Sequence, residues 1–145
     1  MVEIYFNVQS DNGSITESHA LRRWSLQLMR SMEDIKDLRV GNRLRTLLTA
    51  SGFTEVDVKM IPMPLSPWPN SMTSALHRSV LIISPDPTSR EIGAVNEENV
   101  TKLLESLSLY SLTRRLRMPH WQYGELISQA REEVRDRNLK AYFPL

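Results

Sequence analysis

The sequence predicts a mostly helical α+β domain, with about four helices and a small sheet of two or three strands. Three observations carry that expectation. Apolar residues recur at helical spacing in several stretches, each closed by Gly or Pro. Only short runs alternate or cluster as strands do, at residues 2–9, 52–60 and 79–84. With 145 residues, 41% of them hydrophobic, and no internal repeat or low-complexity linker, residues 1–145 read as one domain with a single core.

Residues 2–9 (VEIYFNVQ) are rich in β-branched and aromatic side chains and alternate, which predicts a strand. Asp11, Asn12 and Gly13 form a turn. Ser14 and Glu17 have the spacing of a capping box, in which each side chain satisfies a free backbone N–H. The helix they start is expected to run to about Ile35, with Leu21, Trp24, Leu28, Met32 and Ile35 on one stripe. A second helix near residues 42–51 turns Leu44, Leu47 and Leu48 inward and stops at Gly52.

A strand follows, with Val56, Val58 and Met60 on one face and Glu55, Asp57 and Lys59 on the other. Pro62, Pro64, Pro67 and Pro69 forbid a regular continuation and predict a stiff extended segment. Residues 79–84 (SVLIIS) read as a buried strand ended by Pro85, Asp86 and Pro87. A third helix, about residues 97–116, shows Val100, Leu103, Leu104, Leu107 and Tyr110 at helical spacing before Pro119 breaks it. The last, about residues 121–137, places Tyr123, Leu126, Ile127, Ala130 and Val134 on one face. Glu133 and Arg137 are set to pair at i,i+4 on the other.

Residues 52–69 (GFTEVDVKMIPMPLSPWP) resemble the late strand and acceptor loop of fungal LaeA-like S-adenosylmethionine-dependent methyltransferases, the UMTA type of class I enzyme. Residues 14–28 are similar to that family's long helix, and residues 48–56 (LTASGFTEV) to its Leu-x-x-Ala-Gly-Phe-x-x-Val signature, with Ser51 inserted. Trp68-Pro69, Glu91-Ile92-Gly93, residues 131–137 (REEVRDR) and Tyr142 also match in order. The resemblance implies the C-terminal, acceptor-binding half of a Rossmann-like fold. The family's glycine-rich strand-turn-helix and acidic ribose ligand do not precede residue 52, so no cofactor is expected.

That reading leaves a sheet edge open, which predicts a homodimer. Residues 80–83 are expected to supply the sheet with a replacement strand, since Trp68-Pro69 and Ile92-Gly93 lie farther apart than in the family.

The net charge of +1 supplies no field for nucleic acid or anionic membranes. No apolar run reaches the ~18 residues of a membrane helix. There is no signal-like N-terminus, so the default location is cytoplasmic. The chain contains no cysteine, and its three histidines show no metal-ligand spacing.

The candidate site rests on large apolar side chains. Trp68, Met60, Met63, Met72, Trp121 and Tyr123 are expected to line one apolar pocket, with His77 or His120 as hydrogen-bond donor. Natural-product pathways contain methyltransferase-like proteins that guide cyclisations. The resemblance therefore suggests a cofactor-independent cyclase or isomerase acting on an apolar terpenoid or polyketide intermediate, where holding a reactive conformer suffices. The alternatives are a non-catalytic partner of a full-length methyltransferase or regulatory complex, and a methyltransferase fragment completed by another subunit.

Overall fold

The computed structural model describes residues 2–10, 12–67 and 87–145. Its strands are β1 (Gln9–Ser10), β2 (Pro62–Pro64) and β3 (Ala141–Pro144), arranged in one antiparallel sheet in the order β1-β3-β2. Its helices are α1 (Ala20–Met32), α2 (Leu44–Ala50, entered through a 3-10 turn at Val40–Arg43), α3 (Pro87–Tyr110) and α4 (His120–Arg135). A π-helical turn, Ser111–Arg115, extends α3. The fold class is the expected one, built on different strands.

One apolar cluster holds these elements together. Leu21, Trp24 and Leu28 of α1 meet Val100 and Leu104 of α3, the Leu126, Ile127, Ala130 and Val134 face of α4, and Phe143 of β3. The α4 face is the predicted one in every residue. Trp24 is buried without an orphan donor because its indole N–H donates to the Leu104 carbonyl at 3.0 Å. Phe143 packs edge-on to Phe6, with ring centroids 5.5 Å apart. Each fully buried side chain of this size contributes roughly 1.5–3 kcal/mol.

The start of α1 departs from its sequence signature. The helix begins at Ala20, and Ser14 and Glu17 form no capping box. The Ser14 hydroxyl donates to the Leu139 carbonyl, and Glu17 pairs with Arg22 at 3.2 Å. The cap comes from α4: the Glu133 carboxylate accepts the N–H groups of Ala20 and Leu21, both at 2.8 Å. Glu133 is therefore taken up by α1, not by the predicted pairing with Arg137. At the other end, the Arg115 guanidinium donates to the Ser31 carbonyl at 2.6 Å and pairs with Asp34. The same contact holds the Asp34 carboxyl below its ordinary range. An anion at the start and a cation at the end both oppose the helix dipole. The last turn ends at Met32, and Ile35 lies exposed beyond it.

The strands are shorter than expected, or elsewhere. In residues 2–9 the Asn7 N–H turns back to the Tyr5 carbonyl at 2.7 Å, so only Gln9 and Ser10 join the ladder, with Tyr5 N–H reaching the Pro144 carbonyl at 2.9 Å. Residues 54–60 pair with nothing in the sheet. Pairing starts at Ile61, which exchanges two backbone hydrogen bonds with Leu145 (3.0 and 2.8 Å), and runs through the prolines. The register explains why prolines are tolerated. Ile61 and Leu65 donate toward β3, so the alternate positions Pro62 and Pro64 face away, where no N–H is needed.

That outer edge is not open. Asn96 of α3 donates to the Pro64 carbonyl at 2.7 Å, and α3 lies along the strand. A Cβ on Gly93 would collide with the Ser66 carbonyl oxygen and sit 2.7 Å from its carbon, so only glycine lets α3 approach this closely. The expectation of a bare sheet edge is corrected accordingly: β2 is covered by a helix and carries prolines, and β1 is two residues long. The proposed replacement strand at residues 80–83 lies outside the described residues.

The third helix begins ten residues early, at Pro87, where a helix needs no N–H. Its buried stripe is Gly93, Asn96, Val100, Leu104 and Ser108, continued by Ser111 of the π-helical turn. Leu107 and Tyr110, predicted to point inward, are exposed. Small and polar residues win this face because α3 packs closely against its neighbours, and Ser108 and Ser111 satisfy their hydroxyls on carbonyls four residues back.

Between α1 and β2 the chain makes an excursion with no core of its own. Gly52 ends α2 with φ +93° as predicted, and Phe53 N–H reaches back to the Leu48 carbonyl at 3.1 Å, closing a Schellman turn. No residue of α2 is buried, and the inward placement of Leu47 does not hold.

Candidate functional site

Among the described residues, the predicted site residues Met60, Met63, His120, Trp121 and Tyr123 are not brought together in one cleft. Met63 sits in β2 and packs against the core. Met60, three residues earlier, is 55% exposed. His120 opens α4 and is exposed, and Trp121 beside it is 73% exposed. Two positions on, Tyr123 is buried on the opposite face, because a helix turns about 200° in two residues. Trp68, Met72 and His77 lie outside the described residues.

Tyr123 is held rather than poised. Its hydroxyl lies 3.4 Å from the Ser108 hydroxyl and 3.3 Å from the Glu105 carbonyl. Burial raises its pKa above the ordinary 10.0, reinforced by the Glu105 charge and opposed by Ser108 and Arg131. It therefore stays a neutral phenol, a structural group at the α3–α4 contact.

Two clefts flank α4. One, of about 290 Å³, opens between α3 and α4 over Tyr123 and Gly124, with Glu105, Arg131, Glu132 and Arg135 around it. Arg131 pairs with Glu105 at 2.6 Å across its mouth. The other, of about 300 Å³, lies between α1 and α4 and is lined by Met118, Trp121 and Leu126 together with the polar Arg23, Gln27, Gln122, Glu125 and Gln129. Both are lined largely by polar and charged side chains, unlike the single apolar pocket that was expected. Among the described residues no three or more His, Asp or Glu side chains are grouped to hold a metal ion. No helix among them is long and apolar enough to cross a membrane.

At the start of α1 the N–H groups of Ala20 and Leu21 are already accepted by the Glu133 carboxylate.

A further surface feature is the excursion at residues 35–61. It presents Ile35, Leu47, Phe53, Val58, Met60 and Ile61 to solvent, with Phe53 60% exposed. Sequence reasoning assigned three of these to the interior of a second helix and a strand. It missed Gly93 and Asn96 as the anchors of the proline-rich segment; the helical spacing 93-96-100-104 carried that signal.

The mostly helical α+β chain with its small antiparallel sheet is methyltransferase-like by its likeness to other proteins. The chain is similar over 97% of its length to fungal LaeA methyltransferases. It is 28% identical to the protein-methionine methyltransferase laeA of Chaetomium globosum and covers 40% of that protein. It is 25% identical to the secondary metabolism regulator LAE1 of Cochliobolus heterostrophus, covering 42% of it. Against the protein-methionine methyltransferase laeA of Emericella nidulans the figures are 27% and 34%. The chain thus spans about two fifths of the length of the first two relatives. No family model and no solved structure matches.

Proposed function

We propose that this chain acts in secondary metabolism as a methyltransferase-like interaction partner, docking through residues 35–61 onto a full-length LaeA-like methyltransferase. One observation carries the proposal: a 27-residue excursion whose helix α2 ends in a Schellman turn, yet which exposes six large apolar side chains. Solvated apolar surface of this kind marks an interaction site when it is held by ordered local structure. The occupant follows from the relatives. They match this chain almost end to end and carry about 60% of their own length outside the match. A methyltransferase of that kind has further chain to offer against an exposed apolar face.

Mixing the chain with a full-length LaeA-like methyltransferase and measuring mass by light scattering tests the proposal. A one-to-one complex that is lost on Phe53→Asp supports it. Self-association through the same face, or no association, overturns it.

The cofactor-independent cyclase reading ranks second. It rests on the kinship with secondary-metabolism proteins. It needs one closed apolar pocket, whereas Met60, Trp121 and Tyr123 lie at three separate places. Acceleration of a late-pathway cyclisation by the purified chain without cofactor would restore it.

A further inference from the structure

We propose that the outer face of α3 pairs antiparallel with the same face of a second copy of this chain, forming a weak homodimer. The helix carries two stripes. The buried one runs from Gly93 to Ser108; the other is Ile92, Val95, Asn99, Leu103, Ser106 and Tyr110, at spacings of three and four. Those steps keep the six side chains on one side of the helix, over about 27 Å of its length. Ile92 is 48% exposed, Val95 68% and Tyr110 69%, with the exposed Leu107 at the margin. None of the six is charged. Scattered apolar residues on a surface need no partner, but a continuous uncharged stripe along a helix marks a contact with another element.

The pattern of the stripe points to its occupant. Apolar residues lie at its two ends, Ile92 and Val95 at one and Leu107 and Tyr110 at the other, around the polar Asn99. With a two-fold axis at the level of Thr101, Ile92 meets Tyr110 of the other copy and Val95 meets Leu107, so one surface complements itself. The charges agree. Glu98 and Lys102 flank the centre on one rim, where both are well exposed and pair with each other at 2.6 Å. An antiparallel copy sets each Glu98 beside the other copy's Lys102, whereas a parallel copy sets like charges together. Antiparallel pairing also opposes the two helix dipoles. Size decides the strength. A strip about 27 Å long and roughly 10 Å wide falls short of the ~800 Å² per partner of a stable interface, so pairing needs high concentration. None of these residues lies within residues 35–61, so the pairing rests on no part of the docking reading.

Sedimentation equilibrium of the full chain between about 10 μM and about 1 mM tests the pairing. The average mass is expected to climb toward that of two chains, with a dissociation constant on the order of 100 μM. Val95→Glu/Tyr110→Glu should leave a monomer that melts like the wild type, since both residues are exposed. Lys102→Glu makes the central rim uniformly acidic and should weaken pairing roughly tenfold. The chain has no cysteine, so a spin label on Glu91→Cys is unique. Antiparallel pairing places two such labels about 30 Å apart, and parallel pairing about 10 Å. A chain still monomeric at the top of the concentration range, or a Val95→Glu/Tyr110→Glu protein that pairs like the wild type, overturns the proposal. A label distance near the parallel value overturns the antiparallel arrangement, and unchanged affinity in Lys102→Glu overturns the rim pairs.

Discussion

Removing the Glu133 carboxylate tests how the fold is joined. In Glu133→Ala the N–H groups of Ala20 and Leu21, both residues fully buried, lose their acceptors. An unsatisfied buried donor costs about 1–3 kcal/mol, and loss of a helix N-cap typically about 1 kcal/mol. Water entering at the half-buried carboxylate position recovers part of this, so the net destabilisation expected is about 2–4 kcal/mol. For a domain of this size that corresponds to a melting temperature lower by roughly 6–12 °C. Glu133→Gln keeps one acceptor and should fall between. Urea denaturation followed by circular dichroism measures the difference. Arg137→Ala is the control: Arg137 is exposed, and the change should stay within about 0.5 kcal/mol. If Glu133→Ala were neutral, or the two variants equally destabilised, Glu133 would not be capping α1 and the predicted i,i+4 pair would be reinstated.

Two glycines in helices should respond in opposite directions. Gly93→Ala forces a side chain into the Ser66 carbonyl and should cost about 1–3 kcal/mol in urea denaturation, with loosened packing of α3 on β2. Gly124→Ala meets nothing within 4 Å and should stabilise α4 by up to about 1 kcal/mol, measured the same way. Tyr123 predicts alkaline sensitivity. Its folded pKa is raised above 10.0, so its contribution is fully present below pH 10 and is lost as pH rises through the folded value. The melting temperature of the wild type should therefore drop more steeply above pH 10 than that of Tyr123→Phe.

Much of this architecture was legible because one side of a helix repeats every 3.6 residues. The buried face of α4 follows directly from that period. The same signal misled in α3, where hydrophobicity pointed to Leu107 and Tyr110. Close packing selected Gly93, Asn96, Ser108 and Ser111 instead. The capping box at Ser14 and Glu17 had the right local spacing, but Glu133, more than 110 residues away, offered both acceptors at once. No local rule anticipates a partner at that separation. Strand positions failed for a related reason: alternation in residues 54–60 shows two faces but not a neighbour. The prolines of β2 read as breakers until the register showed their nitrogens facing away from β3. For the site, the aromatic and thioether side chains were identifiable by type. Their scattering over the core, α4 and the excursion depends on long-range packing, which spacing does not encode.

Binding of this chain to a full-length LaeA-like methyltransferase is the most direct test of the docking claim, read by isothermal calorimetry with wild type and with Leu47→Asp/Phe53→Asp. Both residues are exposed, so the double variant should fold and melt like the wild type. Saturable one-to-one heat with the wild type, with a negative heat-capacity change from buried apolar surface and no heat with the variant, is the predicted result. Equal binding by both proteins, or none by either, would contradict it.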